Sequence, residues 1–296
     1  MNLSSAVNQA SLDCCVQIKK MGSSLYYSSL FLPQQQLLQI APVVNFLWRI
    51  DRIPRFTQES AIAEKQLLWW IEEIEKAKVN QAQHPIARAL STSLKTDEQF
   101  SDLQGHVRHV LLHQTDCQID NEESFAEFLV QKRLTLVELI MALSNQELIE
   151  NKKYLSDMAQ LLGLIDLFDG YHQDKLHGLL YFPLQSLIDH QITVEHLTLS
   201  TPSIDETVQN KVQAFWDYWL NQLVSMENLL WKNCESGSDN VLLFLMLYCR
   251  IRIKAINNSR KKGYNFLHQH PTLSPVSKLW TVWLTRAKWQ SNKKAY

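Results

Sequence analysis

The chain has 296 residues, 46% of them hydrophobic, and its 29 Lys and Arg against 30 Asp and Glu give a formal net charge of −1. That near-neutral balance argues against broad electrostatic capture of nucleic acid. Only 7 Gly and 8 Pro punctuate the chain, too few turn formers for a many-stranded sheet, so the composition predicts an all-α protein with long helices.

The five cysteines, Cys14, Cys15, Cys117, Cys234 and Cys249, are odd in number and lack metal-ligand spacing. They point to reduced thiols and a cytoplasmic setting. No apolar run reaches the length of a membrane span, so contact with a membrane would be peripheral. The first residues, MNLSSAVNQASLDCC, lack the basic region and apolar core of a signal peptide. No repeat, low-complexity segment or composition shift divides the chain. It reads as a single domain over 1–296, with a core at about 20–285 and frayed ends at 1–7 and 290–296.

In chain order, the first helix is expected at 8–20, with Leu12, Cys15, Val16 and Ile18 as apolar contacts. A hydroxyl-rich turn at Ser23 leads through Leu32-Pro33 into a helix whose Leu37, Ile40, Ala41, Val44, Leu47 and Trp48 recur at helical spacing. This helix ends in the charged group Arg49, Asp51, Arg52 and Arg55, with Pro54 as its breaker. Thr57 caps the next helix, which buries Ala61, Leu67, Leu68, Ile71 and Ile74. His84-Pro85 opens IARALSTSL. A helix from Ser101 to Asp116 carries His106, His109 and His113 on one face. The spacing of four between His109 and His113 can hold zinc, but no third ligand and no HExxH glutamate accompany it, so half-buried histidines are the expectation. Amphipathic helices follow at 120–150 and 154–170. The second carries Asp157, Asp166 and Asp169, and carboxylates on one helical face either solvate or hold magnesium through water and a phosphate. GLLYFP at 178–183 is an extended turn, and 184–197 a short helix with a loop. The stripe of Phe215, Trp216, Tyr218, Trp219 and Trp231 in 205–233 is core. ESGSDN at 235–240 is a loop before the most apolar helix, VLLFLMLYCRIRIKAI.

The landmarks in this order resemble those of the squalene/phytoene synthase family over roughly residues 20 to 285. SSLYYSSLFLP is similar to its opening SxSFYxAxxxLP. NFLWRIDRIPR stands where the first aspartate-rich motif, DDxxD, belongs. LLWWIEEIEKAK with HPIARAL is similar to the tryptophan-containing helix and its successor. LGLIDLFDGYHQDKLHGLLYFP matches QxxNxxRDxxEDxxxGRxYxP in length and in Gly178, Tyr181 and Pro183. The last helices end in a GYD-like turn, here Gly263-Tyr264-Asn265, and an LSxxxKL pattern. The resemblance implies an isoprenoid-synthase-like helical bundle around a central cavity. Active members hold magnesium between two facing aspartate clusters and draw off a diphosphate in terpenoid biosynthesis.

Against that pattern, Asp51 matches the first acid of the first motif, but Arg52 and Arg55 stand where further acids belong. In the second motif Gly170 replaces the leading acid, Asp169 the arginine and Gln173 an acid. Asp174 remains, Asp166 stands at the asparagine, Leu179 replaces an arginine, and Ser23 takes a basic position. The candidate cavity and diphosphate region is therefore Ser24, Tyr26, Asp51, Arg55, Asp166, Asp169, Asp174 and Tyr181. Asp51 and Asp174 are expected to meet across one cavity, with Arg55 pairing with Asp51 in the volume of a lost metal ion. No catalytic residue is assigned, and any metal site would rest on Asp51 and Asp174. Some members keep the fold and lose the motifs, among them an assembly factor for mitochondrial respiratory complex I. The resemblance thus implies a divergent or non-catalytic protein binding an isoprenoid or other lipid-like ligand, or a protein partner. The alternatives are an active head-to-head prenyltransferase using Asp51, Asp166, Asp169 and Asp174 with magnesium, and a helical scaffold with a closed cavity.

Overall fold

The computed structural model describes residues 3–57, 59–113, 118–144, 151–198, 205–234 and 240–293. These residues form thirteen α-helices and no strand. In order they are α1 (Leu3–Ile18), α2 (Ser24–Ser28), α3 (Gln34–Phe56), α4 (Ser60–Lys78), α5 (Pro85–Ser93), α6 (Asp97–Leu112), α7 (Glu122–Leu143), α8 (Lys152–Leu176), α9 (Leu184–Asp189), α10 (Val194–Thr198), α11 (Glu206–Asn233), α12 (Asn240–Arg260) and α13 (Pro275–Lys293).

The helix starts are written locally. The Ser23 hydroxyl accepts from the Tyr26 N–H at 2.9 Å and caps α2. At α5, Pro85 takes the first turn and His84 Nδ1 accepts from the Ile86 N–H. Thr96 and Gln99 form a reciprocal capping box at α6, and Asn121 and Asn151 cap α7 and α8. Each such cap satisfies a backbone donor that the helix itself cannot.

α3 is the axial element. It packs against α1, α4, α5, α6, α7 and α8, while α8 also packs on α7, α11 and α12. Leu37, Ile40, Ala41, Val43, Phe46 and Ile50 of α3 are completely buried. One connected apolar core reaches from Ala10 on α1 to Trp289 on α13, and Phe215, Trp216 and Trp219 lie inside it.

Several expectations are corrected. Pro54 does not end α3, which runs on to Phe56. The last turn forfeits one backbone bond, but its buried Ile53 and Arg55 anchor it and the Thr57 N–H bonds Ile53 O at 3.1 Å. Thr57 consequently closes α3 instead of capping α4, where Glu59 holds the cap position. α8 continues through Leu176, which brings Asp174 onto the same helix as Asp166. The predicted ends at 114–116 and 145–150, Cys117 and residues 235–239 of the ESGSDN loop lie outside the described residues. Leu12, Val16, Trp48 and Leu68, expected on buried faces, are 41–66% exposed, because the apolar positions of α1, α3 and α4 cover more than one face.

Candidate functional site

α3 packs against α6, α7 and α8, and charged side chains from these four helices converge in one buried network. Asp51 on α3 receives His106 Nε2 of α6 at 2.9 Å on one oxygen and the Arg133 guanidinium of α7 on the other. Arg133 also reaches Asp166 of α8 at 2.9 Å, and Lys132 reaches the same carboxylate at 3.1 Å. Arg55, one turn beyond Asp51, contacts Asp166 at 3.2 Å and binds Asp174 with Nε at 2.8 Å and Nη2 at 2.9 Å. The result is an alternating chain of charge, Asp51–Arg133–Asp166–Arg55–Asp174. Burial alone would raise the carboxyls of Asp51 and Asp166. For Asp51 the opposing Arg133 and His106, and for Asp166 Arg133, Arg55 and Lys132, outweigh burial and hold the carboxyls below the ordinary aspartate range. Arg55 is correspondingly held charged.

Gly170 makes this arrangement possible. A Cβ there would fall inside the Arg55 guanidinium. Gly170 and Arg55 therefore occupy one shared space.

A second ion pair lies further out. Arg252 of α12 binds Asp169 through two nitrogens, one bond being 2.7 Å, and also contacts Ser24 Oγ at 3.3 Å and Pro271 O at 3.0 Å. Asp169 thus stands apart from the Arg55 chain. Both groups border a chamber of about 440 Å³ lined by Ser24, Trp48, Asp51, Arg52, Arg55, Asp166, Asp169, His172, Tyr248, Arg252, His270 and Lys278 among others. Lys278 is 6% exposed, bonds Gly22 O, and among the described residues has no carboxylate within ion-pair distance. Burial and Arg252 lower its pKa. Arg52 points its guanidinium over the ring of Phe56 at 4.6 Å. Inward of Asp166 and Arg133, between Val44, Leu47, Leu162, Phe244 and Leu245, the apolar space measures about 40 Å³, room for roughly one water. A larger concavity, about 1400 Å³, is an open groove between α1, α3, α4 and α5. We take the smaller chamber as the site because the ionisable residues converge on it. Among the described residues no three His, Cys, Asp or Glu side chains are grouped to hold a metal ion.

Of the sequence candidates, Ser24, Asp51, Arg55, Asp166 and Asp169 line the chamber, and Asp174 is buried behind Arg55 at the end of the ion-pair chain that begins at Asp51. Arg55 does not pair with Asp51 as expected: His106 and Arg133 already occupy both oxygens, and Arg55 turns across to α8. Tyr26 packs edge-on against Tyr27, and Tyr181 stacks on Phe128 with Lys132 over its ring at 5.1 Å. Neither lines the chamber. His106, Lys132, Arg133, Arg252 and Lys278 were missed as site residues. Charges amid the apolar periodicity of α7 and α12 were the available signal for three of them, and the LSxxxK pattern for Lys278.

The family model for squalene/phytoene synthase matches residues 18–277. A comparison with curated proteins gave no match. Among solved structures, a dehydrosqualene synthase in complex with ligand aligns with a TM-score of 0.76 at 14% identity, covering 100% of both chains. Squalene synthase HpnC from Alicyclobacillus acidocaldarius aligns at 0.59 and 16% identity over 89% of this chain and 99% of that one. YisP from Bacillus subtilis aligns at 0.64 and 8% identity over 95% and 98%. At these identities the structures establish a shared fold.

Proposed function

The chain belongs to the squalene/phytoene synthase family, and from that premise we propose that it is a divergent member that binds an isoprenoid-like amphiphile by its anionic head group without metal-dependent ionisation. One observation carries the reading: the Arg55 guanidinium fills the space over Gly170 and neutralises Asp166 and Asp174 from within. Magnesium requires near-octahedral oxygen ligands open to it. Here Asp51, Asp166 and Asp174 each already meet a protein cation, so the residues do not fit the ion, and no step is assigned to it. Charge for a ligand remains at the rim, where Arg52 and Lys278 face the chamber. A volume of about 440 Å³ lies within the range of small-molecule sites, about 300–1,000 Å³. The ligand-bound dehydrosqualene synthase of the same fold supports an isoprenoid chemistry for it.

A closed-cavity scaffold is the second reading, favoured by the apolar space of about 40 Å³ beneath the acids. Calorimetric titration with magnesium and with a non-hydrolysable farnesyl diphosphate analogue separates the two. The first reading expects the analogue to bind equally with and without magnesium. Magnesium-dependent binding by the wild type would restore the prenyltransferase, and no binding of the analogue would leave the scaffold.

A further inference from the structure

The last helix is inside out. α13 turns Lys278, Thr281 and Thr285 inward beside Val282 and Trp289, and leaves Val276, Leu279, Trp280, Trp283 and Leu284 at 48–77% exposed. The five exposed residues recur at steps of three and four, so they form one continuous ridge along the outer face. Burying hydroxyls while two indoles face solvent is the reverse of what stabilises an isolated domain, and an apolar strip of this kind marks a contact surface.

The charge around the ridge names what covers it. Residues 240–296 hold eleven of the chain's 29 Lys and Arg and none of its 30 Asp and Glu, a formal +11 against −12 for residues 1–239. On α12, Arg250, Arg252 and Arg260 are paired with Glu227, Asp169 and Asp217, so the charge that bears on the ridge is that of α13. α13 itself has Lys278, Arg286, Lys288 and Lys293 and no carboxylate. At 100° per residue, Arg286 and Lys288 border the ridge on its two sides. The Arg286 guanidinium lies 3.8 Å over the Phe31 ring and the Lys288 ammonium 6.0 Å from that of Trp231, so each cation is held beside an aromatic face, Arg286 partly exposed and Lys288 exposed at the edge of the ridge. A second copy docked ridge to ridge would set the cations of one α13 against those of the other. A convex ridge of Trp and Leu between cations instead fits an interface in which rings enter the acyl boundary and cations meet phosphate.

We propose that α13 docks the protein flat on a membrane surface rich in anionic phospholipid. Among the described residues no helix is long and apolar enough to cross a membrane, so the contact lies in the interface. It uses a face opposite the one that delivers Lys278 to the chamber, and it stands or falls separately from the ligand reading.

The test is flotation of the full-length protein with phosphatidylcholine vesicles, with and without phosphatidylglycerol. Recovery should require phosphatidylglycerol and fall as salt rises. Trp280→Ser with Trp283→Ser, and separately Arg286→Glu with Lys288→Glu, should each lower partitioning at least roughly tenfold. Thermal unfolding of the tryptophan variant should match wild type, since both rings are exposed. Equal flotation of wild type and tryptophan variant would overturn the proposal, as would no flotation on any vesicle. In the latter case, a concentration-dependent dimer dissolved by the same substitutions would give the ridge to a second copy, and a monomer would leave it to a protein partner.

Discussion

At the scale of the residue, Arg55 and Gly170 behave as one unit. Arg55→Ala removes the cation that neutralises Asp174, which is 2% exposed, and a buried charge left alone costs about 3–5 kcal/mol. Arg55→Asp with Gly170→Asp would open the shared space and put acids at both motif positions. Calorimetry should then detect magnesium binding by the double variant and none by the wild type. Asp51 and Asp166 are held low in the fold, and the unfolded aspartate titrates near about 3.9. The unfolded chain therefore takes up protons first on acidification. The stability these acids contribute is complete above about pH 5 and is lost as pH falls through 4 toward the folded values. His109 behaves in the same direction for another reason. Burial, then His113, His106 and Lys132, push its pKa from 6.5 to about 3, with only Asp51 pulling it up. It is neutral in the fold, so its stabilisation holds above 6.5 and declines from there toward 3. Denaturant titrations across that range should show a flatter pH dependence for His109→Gln than for wild type.

At the scale of the element, the site depends on how closely α7 and α8 approach. Gly163 of α8 lies against the Leu129 backbone of α7, and a Cβ there would stand 2.6 Å from the Leu129 carbonyl oxygen. The contact is backbone, so nothing flexible can yield. One turn further along, the same pair of helices brings Arg133 to Asp166. Gly163→Ala should destabilise the protein by about 1–3 kcal/mol, measured by urea unfolding, and should disturb the Arg133–Asp166 pair. The helices themselves were legible from apolar spacing and caps such as Thr96 with Gln99. Their ends were less so. Pro54 reads locally as a stop, and the burial of Ile53 together with the pairing of Arg55 to α8 carries α3 past it.

At the scale of the whole molecule, one apolar core joins α1 to α13, so the far-ultraviolet helical signal and the near-ultraviolet tryptophan signal should be lost together on heating. Two separated transitions would contradict a single cooperative unit. The charge distribution is equally global: a balance of −1 hides a basic last fifth facing an acidic remainder. Net charge alone conceals that asymmetry, which is why composition read as neutral while α13 presents a cationic border.

The sequence by itself determined the helical class, because periodicity and scarce glycine act locally. It also determined the family resemblance, because the ordered landmarks survive in the residues. It singled out positions 52, 55, 170 and 173 through the motifs the chain resembles, without revealing what they do together. Only the tertiary structure decided that Arg55 binds Asp166 and Asp174 instead of Asp51, that His106 and Arg133 hold Asp51, and that Asp169 belongs to Arg252. Those partners stand 55 to 119 positions apart. Which of several nearby acids an arginine meets is set by helix register and by the space over a glycine, and neither is written in local spacing.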